Sequence, residues 1–335
     1  MKLTGVFVIE TGVVNRGEGM GNIATVKKLT TPEGIKVFFS PVSYKRALWK
    51  MLQTYKNWKP PMVTKEGEVV QKTGTVIDSE EFDFAGTMVA KPKYEREGTF
   101  LVDNGISINN YYGDMEFMTN MAISKFYGED EANIINRENF YGVYVLPFGV
   151  EIDRVGIQEI KTVDFELKEE ESIEEKIRKI YKVIEKQFKP KNWTEPSEEQ
   201  IKSWAEIVER IEYDPKTKIT KIILKKKERK RRIKQLLEGM GELAKRIEGS
   251  DRNLSPYFAA FSLDYAAPKY LLLIKQVLRE HLKKGTLFDM EKVVEDLKKK
   301  LEDLSKIEGK SIKIATHLNY NETADKIVRE IFPGD

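Results

Sequence analysis

A chain of 335 residues, 40% hydrophobic and 33% charged, is long enough to bury a core of its own without covalent staples. It contains no cysteine, which excludes disulfides, thiol nucleophiles and zinc sites built on sulfur, and its two histidines are too few for a histidine-rich metal site. Lysine and arginine number 57 against 54 aspartates and glutamates, a net charge of +3, so the protein is not uniformly basic and the distribution of charge becomes the informative quantity.

Lys2 and Glu10 bracket a short strand-like run where an export signal would need an apolar core, and no stretch approaches the roughly 20 apolar residues of a membrane span. A cytoplasmic protein with no membrane partner is expected. The wealth of Lys, Glu and Ile is compatible with a thermophilic source.

In chain order, Leu3 to Glu10 alternates and is β-branched, which predicts a strand, and Thr11 to Leu29 carries the Gly and Asn punctuation of a loop. Ile35 to Phe39 predicts a second strand. Ser40 then reads as a helix cap with Pro41 at the first helical position, and Tyr44, Ala47, Leu48 and Met51 share one face of a helix over 41–53. From Asn57 to Phe100 the prolines and glycines break every period, so an inserted lobe is expected there, with short strands around Val69 to Ile77. Ile106 to Tyr112 and Tyr141 to Val150 predict two further strands.

After Asp164 an acidic run, Glu166 to Glu175, leads into an amphipathic helix ending near Phe188, and a second helix is expected over Glu198 to Ile211. Lys218 to Lys227 predicts a strand that runs into a basic helix over Glu228 to Ile247, interrupted by Gly239 and Gly241. Tyr257 to Leu263 and Ile312 to Thr316 read as strands; helices are expected over 269–284, 289–304 and up to Ile331. The order strand, helix, strand, strand, helix, strand with long insertions is that of a ferredoxin-like, RNA-recognition-motif core of the α+β class. Three parts are expected: 1–155 with an inserted lobe at about 57–100, a helical lobe over 156–215, and the rest of the core with C-terminal helices over 216–335.

Enzyme chemistry finds little support. His281 sits among charged residues and His317 follows a strand far along the chain, so no nucleophile–base pair suggests itself. Gly17, Gly19 and Gly21 hint at a phosphate cradle but lack the Gly-Lys-Ser/Thr ending. Glu18, Asp83 and Asp114 are the carboxylates a metal nuclease could use, and the plainer reading of each is solvated surface charge. No metal and no cofactor is expected.

Three stretches carry more. In Asn15-Arg16-Gly17-Glu18-Gly19-Met20-Gly21-Asn22 the glycines allow close backbone approach, Arg16 offers a fork to phosphate, and Asn15 and Asn22 offer neutral hydrogen-bonding groups; alternatively Arg16 simply pairs with Glu18. In Ser40 to Lys50, Arg46 and Lys50 lie one turn apart opposite the apolar face, Lys45 adds a cation, and Ser40 and Ser43 stand at a helix N-terminus that attracts phosphate; the alternative is a solvated basic face. The third runs from Ile106 through Asn109, Tyr111, Tyr112, Phe117 and Asn120 to Tyr144. Its polar groups interleaved with aromatics suit base stacking and backbone tracking, and core packing explains Phe140 and Tyr144 equally well.

Together these stretches resemble the DevR-like backbone subunits of type I CRISPR interference complexes: the Asn-Arg-Gly-Glu loop, the Ser-x-x-Ser-x-x-Arg-x-Leu helix, Asp83-Phe84-Ala85-Gly86, and Tyr141-Gly142-Val143-Tyr144 with Glu151-Ile152-Asp153-Arg154 beyond it. The resemblance covers about the first 155 residues and, more faintly, the basic helix. It implies a hand-like protein of palm, fingers and thumb that is not an enzyme and that oligomerises in a helical filament along CRISPR guide RNA. The other subunits of the complex would be partners, and target DNA an indirect one. Asn15 and Arg16 would position the guide backbone, Ser43, Lys45, Arg46 and Lys50 would contact phosphate, and Gly239 and Gly241 would admit the strand closely. Two rivals remain open: a metal-dependent ribonuclease acting through Glu18, and a structural protein whose basic run Lys221 to Lys234 is only a solvated helix face.

Overall fold

A computed structural model describes residues 1–19, 21–90, 93–128, 134–162, 166–264 and 267–334; Met20 and Asp164, noted above, and Pro92, one of the prolines between Asn57 and Phe100, lie outside the described residues. The first half of the chain forms β1 (Lys2–Gly12), β2 (Ile23–Ala24), β3 (Lys28–Thr31), β4 (Gly34–Phe39), α1 (Pro41–Tyr55), β5 (Met62–Glu66), β6 (Val69–Thr73), α2 (Glu80–Ala85), β7 (Thr87–Val89), β8 (Tyr94–Arg96), β9 (Phe100–Val102), β10 (Gly105–Asn110), β11 (Met115–Thr119), α3 (Met121–Phe126), β12 (Ile134–Glu138) and β13 (Tyr141–Glu151). The second half forms β14 (Ile157–Lys161), α4 (Ile173–Phe188), α5 (Glu198–Ile207), β15 (Val208–Asp214), β16 (Ile219–Leu224), α6 (Lys226–Gly241), β17 (Ala244–Ile247), β18 (Ser250–Asn253), β19 (Phe258–Ser262), α7 (Ala267–Lys283), α8 (Met290–Glu308), β20 (Lys313–Thr316) and α9 (Tyr320–Ile331).

β1 is apolar on both sides because it is covered on both. Along it Leu3, Phe7 and Ile9 join one core cluster while Val6 and Val8 join another, the two-residue alternation of a strand between two helical layers. Its edges pair antiparallel with β13 and β19, inside a sheet of order β20-β19-β1-β13-β10-β4-β3 with β9 pairing β13. The α1, α6 and α9 helices pack Leu48, Leu236 and Ile327 on the Phe7 face. The α7 and α8 helices pack Ile274 and Leu297 on the Val8 face. The class is α+β, as expected.

A third cluster joins Val76, Phe82 and Tyr94 to Ile177, Tyr181 and Ile222, so the stretches around 62–94 and 160–224 share one core. Asp83 ties this lobe to the sheet. Its carboxylate is fully buried and accepts from Arg96 at 2.7 Å, Arg232 of α6 at 3.2 Å and the Gly156 amide at 2.8 Å. Gly86 caps α2 with φ 68, and a Cβ there would meet the Arg96 carbonyl at 2.4 Å, which is why the fourth place of that motif is glycine.

Local pattern misled in a few places. The helix expected over 198–211 stops at Ile207, and 208–214 is β15, paired with β16. A register shift between Val208 and Arg210 turns both Val208 and Ile211 inward, so a bulged strand imitates the spacing of a helix. The basic helix ends at Gly241, not Ile247: 244–253 is a hairpin closed by Glu248 and Gly249, both at positive φ (49 and 79), as a two-residue primed turn requires. The strand expected to reach Ile77 ends at Thr73, and the loop to Leu29 contains β2 and β3. The α2, β11, α3 and β12 elements were not foreseen.

Candidate nucleic-acid interface

The loop after β1 is held from several sides. Asn15 Oδ1 accepts from the Ser40 amide at 3.0 Å and the Ser40 hydroxyl at 3.1 Å, while Ser40 Oγ caps α1 by accepting from the Ser43 amide at 3.3 Å. The Gly17 amide donates to the Thr25 carbonyl at 2.9 Å, and the Thr25 hydroxyl donates to the Glu18 carbonyl at 2.6 Å. Asn15 therefore fixes the loop against the helix N-terminus. The Asn22 side is anchored by its carbonyl, which accepts from the Asn136 amide of β12 at 3.0 Å.

Arg16 does not pair with Glu18. Its guanidinium forks onto Glu248 at 3.0 and 2.8 Å and donates a further bond to the Glu138 carbonyl. Glu248 also receives Arg137 at 3.2 Å, and Arg137 forks onto its cross-strand neighbour Glu116 at 2.8 Å. Arg16, with Arg137 behind it, holds Glu248 below the ordinary carboxylate range, and Arg252 adds to the effect. At Glu138 burial opposes the charge, yet Lys28 at 2.6 Å and the Val26 amide at 2.8 Å hold it low. Chain segments more than 100 residues apart thus meet at one charged cluster.

The α1 helix borders this cluster. Lys245 of β17 donates to the Val14 carbonyl and to Ser43 Oγ, and burial, with Lys27 nearby, pulls its pKa down. Ser43 is therefore engaged within the protein. Lys45 turns toward the sheet: its ammonium donates to the Phe100 carbonyl at 2.6 Å and stands 5.5 Å from the centroid of the Phe100 ring. Burial first, then Lys72, lowers it from 10.5 to about 8. Arg46 and Lys50 are exposed, and their side chains make no hydrogen bond or ion pair among the described residues; Arg246 of β17 is the same.

Lys45 gives a pH test. Its folded pKa lies below the unfolded one, so the unfolded chain binds more protons between about 8 and 10.5. The destabilisation is full below about 8 and is relieved as pH rises through that window, so Lys45→Met is expected to flatten the pH dependence of the melting temperature between pH 8 and 10. An unchanged profile would show that Lys45 titrates as an ordinary lysine.

The other expected residues separate. Asn109 is occupied within the sheet, donating to the Tyr141 carbonyl at 2.9 Å and accepting from the Val143 amide at 3.1 Å. Asn120 stands at the N-cap of α3, where its carbonyl accepts from Ile123 and Ser124. Gly239 and Gly241 correct the expectation of a turn open to RNA. Both belong to α6, where a Cβ would lie 2.7 Å from Leu52 and 2.3 Å from Tyr320, so the close approach they permit is to α1 and α9. Of the aromatics, Tyr144 and Phe140 are core, whereas Tyr112 is 84% and Phe117 62% exposed. Glu138, Arg137, Lys245 and Glu248 were missed by sequence reasoning, since nothing local marks them as members of the network around Arg16 and Ser43.

This sheet, helically covered on both faces and carrying a charged loop-and-hairpin cluster, has the fold of chains found in RNA-guided complexes. It is similar to a chain of a structure named "CRISPR RNA-guided surveillance complex, pre-nicking", with TM-score 0.58 and 9% identity over 99% of this chain and 100% of that one. A chain of another, named "CRISPR RNA-guided surveillance complex", matches with TM-score 0.51 and 11% identity over the same shares, 99% and 100%. A search of curated proteins found no match. The family model described as "CRISPR-associated negative auto-regulator DevR/Csa2" matches residues 3–269, and the chain belongs to that family.

Proposed function

We propose that this protein is a guide-RNA-binding backbone subunit of a type I interference complex, which oligomerises along CRISPR RNA, grips its backbone without sequence preference and presents it for pairing with target DNA. The observation that carries the reading is the set of uncommitted cations Arg46 and Lys50 of α1 and Arg246 of β17, on the two elements that hold the loop through Ser40 and Lys245. Cations without internal partners are the groups that phosphates can neutralise. The strand order β19-β1-β13-β10, with α1 and α6 on one face, supports a ferredoxin-like, RNA-recognition-type core. Phe117, Phe126 and Tyr127 around β11 and α3 are more than half exposed, an apolar surface that suits contact with a neighbouring copy. Among the described residues no helix is long and apolar enough to cross a membrane, and we place the complex in the cytoplasm.

We read the protein as non-catalytic. The rival reading, a metal-dependent ribonuclease, has less behind it: Glu18 is exposed, and among the described residues no group of three or more histidines, aspartates or glutamates could hold a metal ion.

Single-stranded RNAs of two unrelated sequences, titrated at several salt concentrations, test both readings. Equal affinities are expected, falling with salt at a log-log slope of about −0.7 per neutralised phosphate, with RNA length unchanged by magnesium or manganese. A slope near zero or a strong sequence preference would remove the scaffold reading. Metal-dependent cleavage abolished by Glu18→Ala would install the nuclease in its place.

A further inference from the structure

The third core cluster holds an arrangement that RNA binding does not use. Asp78, just ahead of the Ser79 cap of α2, receives three donors on one oxygen: the Thr75 amide at 2.8 Å, the Thr75 hydroxyl, and the Tyr181 hydroxyl at 2.6 Å all reach Oδ1. They orient the carboxylate and leave Oδ2 with no hydrogen bond or ion pair among the described residues. Asp78 lines a cavity of about 550 Å³, within the range of roughly 300–1,000 Å³ usual for ligand sites. Its walls include Trp193 and Trp204, both part-exposed and both stacked on Tyr181, at 6.0 and 4.7 Å between ring centroids.

Charge selects the ligand class. Glu199 lines the same cavity as Asp78, so a phosphate is disfavoured there. Lys59 also lines the cavity, but it is exposed and forms no ion pair with Asp78. Indole walls with a carboxylate suit a planar, weakly hydrated cation whose stem is apolar. We propose that this cavity seats the guanidinium of an arginine side chain presented by a protein partner, its stem along the two indoles and its head on Asp78 Oδ2. Burial pushes the Asp78 carboxyl up against the pull of its three donors, and an arriving cation would favour its charged form. The site opens to solvent beside the two tryptophans, as a side chain reaching in from another protein surface requires.

The test is a tryptophan-fluorescence titration of the full chain with N-acetyl-argininamide and with its uncharged isostere N-acetyl-citrullinamide. The arginine compound is expected to bind at least tenfold more tightly. Asp78→Asn keeps acceptors for Thr75 and Tyr181 and should erase that difference without lowering the melting temperature. Should that variant unfold, Trp193→Ala decides: a loss of tenfold or more supports the site, and unchanged binding overturns it. Equal binding of the two compounds, or an unaltered preference in Asp78→Asn, also overturns it. Guanosine binding where argininamide does not would make this a base pocket, and agmatine binding a hundredfold tighter than argininamide would make it a small-molecule site. Either result rejects the protein partner, and neither bears on the RNA titration.

Discussion

Replacing Asp83 with alanine is expected to destabilise the fold by about 3–5 kcal/mol, the cost of leaving buried charge without its counter-charge. Arg96 and Arg232 are both buried against this carboxylate, and the Gly156 amide donates to both of its oxygens. Arg232 keeps Glu228 at 2.7 Å, whereas Arg96 would retain only backbone carbonyls. Urea unfolding of Asp83→Ala and Asp83→Asn checks this, with the asparagine variant losing less because it can still accept from Gly156. A loss below about 1 kcal/mol for alanine would mean that water reaches the arginines once the carboxylate is gone.

The second large effect separates folding from binding on a single helix. Leu48→Ala is expected to cost about 2–5 kcal/mol of stability, through lost burial and an unfilled cavity. Leu48 is fully buried and sits against Gly239, where a Cβ would lie 3.3 Å from its Cδ1, so a helix-to-helix contact is what the truncation opens. Arg46→Ala, two positions away on the exposed side, should leave the melting curve in place and weaken RNA binding by about 1–3 kcal/mol. An early melt for Arg46→Ala with full RNA affinity, or stable Leu48→Ala without RNA binding, would invert the assignment of the two faces.

What could be read from the chain alone was whatever depends on neighbours in sequence. The α1 helix announces itself through Ser40, Pro41 and the period of Tyr44, Leu48 and Leu52. β1 and β13 are long apolar runs with strand alternation, and both stand in the middle of the sheet. Ala244 to Ile247 reads as the tail of a helix because what makes it a strand is its partner Ser250–Asn253 and the positive φ at Glu248. Asn15, Arg16 and Ser43 do meet at one place, but as parts of an internal network: Asn15 binds Ser40, Ser43 binds Lys245, and Arg16 binds Glu248 across 232 positions of chain. No pattern in the first 155 residues could supply that last partner. The resemblance to a family drew attention to this loop, and tertiary pairing decided which side chains in and around it are engaged within the protein.

Glu248 has a consequence for how this surface meets an anion. It acts as a built-in counterion: the carboxylate already sits where a phosphate would otherwise be drawn, between Arg16 and Arg137. A nucleic acid reaching those two arginines exchanges one anion for another, and the ion released remains tethered to the β17–β18 turn instead of diffusing into the bulk. The nucleic acid still gives up its condensed cations, but the anion displaced from the protein stays attached, so the protein side adds no freed counterion to the exchange. Unbound, the cluster would also attract stray polyanions weakly for the number of arginines it holds. An anion would have to outcompete a side chain already in position to reach Arg16 or Arg137.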